Sequence, residues 1–344
     1  MNLIELHILQ SYPVSCLNRD DVGAPKSAMF GGFTRARLSS QCLKRAVRTF
    51  AREEYPEALF QGVRSRRLVE PFLAAFEKAG FSPEEAQAKT ELVRNVLSKT
   101  DSKNKELVTT AVFLSPGEIE QIAAEVAKGT DPKKAAKKAS RLDAADIALF
   151  GRMIANDASL NVEAAAMFSH ALSTHEAVND IDFYSAVDER KTGADEDAGA
   201  GMIGTLEFNS ALYYRYVALN LDVVADASHL GGLAPEQRQG VVSAFLRSAL
   251  LAIPGARKAS MNAATRPGYV LGLAKAKGQP LQLINAFLKP TKKASLEEAS
   301  KAMKEHYANL KRVWGIESQA EVELSETGAT TLDQFDSTLT CHVA

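Results

Sequence analysis

Cysteine is scarce: Cys16, Cys42 and Cys341 are scattered, with no pair at metal-ligand spacing. That argues for a reduced, cytosolic protein rather than a disulfide framework or a zinc module. Net charge is nearly absent too, because 41 Lys+Arg meet 42 Asp+Glu. Bulk electrostatics therefore gives no hint of a polyanionic partner, and such a partner has to be sought in local clusters. No apolar run approaches the ~20 residues that span a bilayer, and the first residues lack a charged-then-apolar targeting pattern. The expectation is a soluble, cytoplasmic protein with no membrane partner. Internal repeats and low-complexity tracts are missing. Gly199-Ala200-Gly201 lacks the Lys-Ser/Thr ending of a phosphate loop. His170 and His175 lie five apart with no third ligand nearby, so structural roles are expected and no metal or cofactor.

What is present begins with ordinary material for a folded chain. The sequence is 46% hydrophobic and 24% charged, and its 344 residues suffice for one large domain with insertions or for two domains. Against that even background the stretch 18–48 stands out, with seven Lys/Arg and two Asp. It carries a glycine-rich loop and then a helix start at Ser39-Ser40. Such a loop exposes backbone N–H groups, and a helix N-terminus adds partial positive charge. Lys44, Arg48 and Arg52 follow at spacing four and share one helix face. A phosphate chain laid there would meet donors and charge together.

Read in order, Leu3–Gln10 is a buried strand, with Ile4, Leu6 and Ile8 alternating. Residues 11–38 read as a long loop, a length that is usually functional. A helix capped by Ser39 or Ser40 follows to about Tyr55, burying Leu43, Val47 and Phe50. Residues 56–150 are dominated by helices at about 67–79 and 82–98. A capping box at Ser115-Pro116-Gly117-Glu118 opens another, and a further helix after Asp131 carries Lys133, Lys134, Lys137 and Lys138 as a compact patch. This reads as a helical insertion. Asp146–Ile154 fits either a strand or a short helix, and the second half of 161–175 fits a strand. Residues 180–221 form a long hairpin excursion with a charged, glycine-rich middle. Pro235 opens an amphipathic helix to about Ile253, and Arg257-Lys258 makes a second basic loop. Strand-like runs follow at Tyr269–Leu273 and Leu281–Leu288, then a helix from Ser295 to about Trp314 and a polar tail. Without the insertions the order is βαββαβ, the ferredoxin-like arrangement, which RNA-recognition modules use with nucleic acid lying across the sheet.

The strings Leu6-His7-Ile8-Leu9-Gln10-Ser11-Tyr12-Pro13, Asn18-Arg19-Asp20-Asp21, and Gly23-Ala24-Pro25-Lys26-Ser27 through Ser39-Ser40-Gln41-Cys42-Leu43-Lys44-Arg45 resemble one family closely. The likeness continues through Phe150-Gly151-Arg152-Met153, Ser169-His170-Ala171-Leu172-Ser173-Thr174-His175, Ile181-Asp182-Phe183-Tyr184, Gly204-Thr205-Leu206-Glu207-Phe208 and Tyr214-Arg215-Tyr216, ending near Pro254-Gly255-Ala256-Arg257. The family is CasC (Cse4), the guide-RNA-binding backbone of the type I-E CRISPR Cascade complex.

The resemblance implies an α+β fold shaped like a hand. An RNA-recognition-like palm would take residues 1–55 and 156–344, helical fingers residues 56–155, and a hairpin thumb about 181–221. It implies copies stacked along a guide RNA, kinking it at intervals and presenting it to target DNA beside other Cascade subunits, with no catalysis. Arg19, Lys26, Ser40, Gln41, Lys44 and Arg48 would hold guide phosphates, with Arg45, Arg257 and Lys258 counted on the same RNA surface. Phe183, Tyr184, Ser185, Val187 and Ile203 would pack around the kinked nucleotide, with Phe150 or Met153 as a wedge. Lys133, Lys134, Lys137 and Lys138 would grip target DNA. The acidic Asp195-Glu196-Asp197 argues against phosphate contact there. One rival is an RNA-cleaving, type III-like backbone using Asp20 or Asp21, although adjacent carboxylates on a turn more often order the loop. The other is a metabolic enzyme on a ferredoxin-like scaffold, for which no convergent acid–base or nucleophile set is present.

Overall fold

The structure, a computed structural model, describes residues 1–186 and 202–344. β1 (Leu3–Ser15) is longer than its apolar core, because it runs past Pro13 through an irregularity between Tyr12 and Ser15. Two more strands, β2 (Ser27–Phe30) and β3 (Phe33–Leu38), pair as a hairpin about Gly31-Gly32. The expected long loop over 11–38 is therefore two short connections around three strands. Arg35 hides the pattern: it occupies a core position of β3, with its guanidinium donating to Ser173 O at 2.9 Å and to Phe287 O at 2.7 Å. A buried arginine whose Nη atoms donate to carbonyls reads, in sequence, as a solvated one.

α1 (Ser40–Glu54) is capped by Ser39, whose hydroxyl accepts the Cys42 N–H, and it buries Leu43, Val47 and Ala51. Phe50 is only partly buried. The chain then leaves the sheet through β4 (Val63–Ser65), α2 (Val69–Lys78), α3 (Pro83–Leu97), β5 (Val112–Leu114), α4 (Pro116–Ala127) and α5 (Pro132–Lys138). These helices pack round their own apolar cluster, with Phe72, Phe76, Val93 and Ile122 at its centre. The capping box at Ser115 is only half formed. Ser115 Oγ accepts the Glu118 N–H, but the Glu118 side chain turns inward to a buried ion pair with Arg152 at 2.7 Å. The chain returns beside its exit, with Ala145 N–H donating to Leu59 O and a bridge between Phe60 and Ala144. It then forms α6 (Ala145–Phe150), which settles the open choice at 146–154 as helix over that span.

β6 (Ala166–Phe168), β7 (Ala171–Ser173), β8 (Asp180–Ala186) and β9 (Met202–Asn220) complete the middle of the sheet. After them come α7 (Leu221–Val224), α8 (Pro235–Leu251), β10 (Tyr269–Lys275), α9 (Leu296–Trp314), β11 (Ala320–Ser325) and α10 (Leu332–Thr340). The main sheet runs β11-β10-β1-β9-β7-β3-β2, antiparallel throughout, with β6 and β8 also on β9. β9 thus lies between β1 and the β6–β7 segment that follows the first crossover, which is the split of a ferredoxin-like unit.

Two tail elements lie where the sequence reads as a polar tail. β11 alternates Ala320, Val322 and Leu324 with exposed or half-exposed acids, and α10 seats Phe335 and Leu339 against Gly272, where a Cβ would clash. Residues 281–288 are not a strand but a 3-10 turn at Ile284–Phe287 that buries Leu283 and Phe287.

Both faces of the sheet are covered. Ile4, Leu6, Ile8, Val217 and Leu219 pack under α1 and α8. Leu9, Tyr214, Tyr216, Leu271 and Leu273 pack under α9 and the 3-10 turn. The face across which RNA-recognition modules lay nucleic acid is therefore occupied by the chain itself, and any such surface has to lie at the rim.

Candidate nucleic-acid interface

The rim surface forms where the 18–26 loop clasps the start of α1. Asn18 Oδ1 accepts the Ser39 N–H at 2.8 Å, the Lys26 N–H donates to Asn18 O, and the Arg37 N–H donates to Lys26 O, both at 2.9 Å. Asp20 Oδ1 accepts the Val22 and Ala24 N–H groups at 3.1 and 2.9 Å, so this carboxylate orders the turn.

Electrostatic neighbours show which cations meet. Burial pushes the Cys16 thiol up, and Arg257 and Arg19 oppose that. Burial also raises the Cys42 thiol, against Arg45 and Lys26. His170 is held below its usual value by burial, then by Arg37 and Lys26, with Arg37 Nη1 3.3 Å from its Nδ1. Lys26 thus lies near both Cys42 and His170, with Arg45 near the first and Arg37 near the second, while Arg19 and Arg257 lie near Cys16. Arg37 belongs to the basic stretch, but a hairpin that reads as loop gives no reason to single it out as a site residue.

Along α1, Gln41 and Arg45 are exposed, while Ser40, Lys44 and Arg48 are half-buried. Lys44 Nζ lies 5.7 Å from the centroid of the Phe168 ring, and the Arg48 guanidinium lies 4.9 Å from that of Phe113. Burial lowers the pKa of both, and for Arg48 the nearby Asp146 opposes it while Arg52, Arg64 and Arg45 add to it. Arg64, on β4, is a further cation that helix spacing could not reveal. Arg52 is partly tied down: it donates to Phe60 O at 2.9 Å and to Gly62 O, and lies 3.5 Å from Asp146.

The apolar positions separate. Phe150 packs between Phe168 and Phe245, with centroids 5.9 and 6.0 Å away, whereas Met153 is 71% exposed. On β8, Phe183 is 64% and Tyr184 42% exposed, Ser185 is exposed, and the Tyr184 ring lies against Gly204. Ile203 pairs with Ser185 in the β8–β9 ladder. Val187 and the acidic 195–197 lie outside the described residues. On α5, Lys133 is tied to Asp157 at 2.7 Å, while Lys134, Lys137 and Lys138 are exposed. Lys258 is exposed, and Arg257 takes a left-handed backbone at φ 54 with its buried Nε lacking a partner. Among the described residues, no group of three or more His, Cys, Asp or Glu side chains is placed to hold a metal ion, and no helix is long and apolar enough to cross a membrane.

Residues 4–341 match the family model described as CT1975-like protein. Among solved structures, the chain is similar to one from a "CRISPR RNA-guided surveillance complex, pre-nicking". The two are 25% identical, with 96% of this chain and 94% of that chain covered and a TM-score of 0.79. A second, from a "CRISPR RNA-guided surveillance complex", is 22% identical over the same shares with a TM-score of 0.68, a likeness of fold. No curated protein matches.

Proposed function

The chain belongs to the family of CT1975-like proteins, and from that premise we propose that it is a backbone subunit of a CRISPR surveillance complex of the type I-E Cascade kind, binding the guide RNA without regard to its sequence. The carrying observation is that the loop bearing Arg19 and Lys26 is hydrogen-bonded to Arg37 and to the start of α1, the helix that carries Arg45 and Arg48. Cations with backbone donors beside them suit phosphates of any sequence.

On this reading residues 1–55 and 156–344 are the palm, 56–155 the fingers and 181–221 the thumb. Copies stack along the RNA with other Cascade subunits. The exposed Phe183 and Tyr184 pack on a displaced nucleotide, together with Ser185, Val187 and Ile203. Met153 is the wedge, because Phe150 is committed to packing. Lys134, Lys137 and Lys138 meet target DNA, with Lys133 partly held by Asp157. On this reading the subunit has no catalytic role: of the two candidates of the cleaving alternative, Asp20 accepts two N–H groups of its own loop through Oδ1, and Asp21 stands exposed beside it.

Lys44→Glu with Arg48→Glu is expected to weaken RNA binding and to reduce the slope of log affinity against log salt by about 2, one for each phosphate left without its cation. Anisotropy titrations at several salt concentrations measure it, and an unchanged affinity and slope would refute the reading. A complementary RNA incubated with the complex and a divalent metal should stay intact.

A further inference from the structure

Met153 stands out in solvent, yet both residues beside it are buried, Arg152 at 6% exposure and Ile154 at 2%. The chain around it is closed into a loop. Arg152 and Val162 exchange two backbone hydrogen bonds, at 3.0 and 2.9 Å. The Arg152 guanidinium, just before Met153, donates to Glu118 at 2.7 Å and to Phe113 O and Leu160 O at 3.2 Å. Just after Met153, the Ile154 N–H donates to Asn161 Oδ1 at 2.7 Å. Gly151 opens the loop at φ 75, where a Cβ would stand 3.0 Å from Val162 O. The far side is tied to helices: Asn156 donates to Asn95 O of α3 at 3.1 Å, and Asp157 pairs with Lys133 of α5 at 2.7 Å. A methionine side chain has three rotatable bonds. One that enters between bases therefore gains from a backbone fixed in advance, because less has to be ordered on binding. Of these ties, the one to Asn161 holds the residue that directly follows Met153, and an exposed side chain supplies it.

We infer that Asn161 is a positioning residue: its amide oxygen holds the Ile154 N–H and, opposite the Arg152 clamp, fixes the backbone on which Met153 is presented as a pre-formed wedge. This rests on the reading of Met153 as the wedge. Without the acceptor, the N–H of a buried residue is left unpaired, and the backbone at Met153 is held on one side only. Asn161 carries no charge, so its loss takes no cation from the phosphate grip. The two effects therefore separate: wedging depends on Asn161, and the salt dependence of binding does not.

The experiment titrates the full chain onto single-stranded RNAs carrying 2-aminopurine at successive positions, whose fluorescence rises where a base unstacks. Wild type is expected to brighten particular positions. Asn161→Ala should cut that rise to about half or less while leaving the slope of log affinity against log salt unchanged. Asn161→Asp retains the acceptor and should restore the rise. In a Met153→Ala background, Asn161→Ala should change the residual rise by less than about a fifth, the non-additivity of residues acting through one element. Circular dichroism with thermal unfolding checks that each variant folds. Asn161→Leu, which keeps the bulk without an acceptor, is expected to behave as Asn161→Ala and keeps the test open should that variant unfold. A full rise with Asn161→Ala overturns the inference, and so does failure of Asn161→Asp to restore it or an equal loss in both backgrounds. If wild type brightens no position, or Met153→Ala brightens RNA as wild type does, the wedge reading falls and this inference with it. A loss with Met153→Ala beside a full rise with Asn161→Ala sinks the inference alone.

Discussion

His7 sits in the middle of β1, on the sheet face covered by α9, and burial, followed by the nearby Lys275, lowers its pKa from 6.5 to about 3. The Tyr214 hydroxyl accepts the Leu283 N–H at 2.8 Å, which leaves its O–H for His7 Nδ1 at 3.0 Å. Beside it Glu5 accepts from Tyr216 at 2.5 Å and from Leu281 N–H at 2.7 Å, and pairs with Lys275. Between pH 6.5 and about 3 the unfolded chain binds a proton at this histidine that the folded chain refuses. Its contribution to stability is therefore whole above pH 6.5 and drains as pH falls, by at most about 1.4 kcal/mol per unit. Urea midpoints from pH 7 to pH 4.5 should fall more steeply for wild type than for His7→Gln. Parallel curves would show that His7 titrates normally. The sequence displays this residue only as one member of an apolar strand. Its neutral state depends on partners some 200 residues away, which local pattern cannot supply.

At the scale of elements, legibility follows local causes. α1, its Ser39 cap and the helix caps at Ser82, Asp131 and Ser295 rest on contacts within a turn, and these are readable. The β2–β3 hairpin is not, because its core position is an arginine and its turn is closed by a distant segment. Gly31 has φ 62, and a Cβ there would collide with the backbone oxygen of Leu288. Gly32 has φ 84 with open space around it. Gly31→Ala should therefore destabilise by well over about 1 kcal/mol, and Gly32→Ala by only the backbone part of that. Chemical denaturation of the two variants compares them directly, and equal effects would show that the Leu288 contact carries no weight. The basic face of α1 is half legible in the same way: Lys44 and Arg48 declare themselves by helical spacing, whereas Arg37 and Arg64 lie on strands that the sequence does not display.

For the molecule as a whole, both sheet faces are covered, so the proposed recognition surfaces lie at the periphery and are divided. The cations at the head of α1 are anchored to the sheet core, and the α5 lysines to the separate cluster of Phe72, Phe76 and Ile122. Charge removed from one should leave the other's packing untouched, since exposed lysines contribute little to stability. Lys137→Glu with Lys138→Glu is thus expected to leave guide loading at wild-type level while slowing association of the assembled complex with duplex DNA, most strongly at low salt, where steering by charge is greatest. Stopped-flow association across a salt series separates the two effects. If guide loading falls as far as DNA association does, the two basic surfaces act as one, and the division of labour between palm and fingers is wrong.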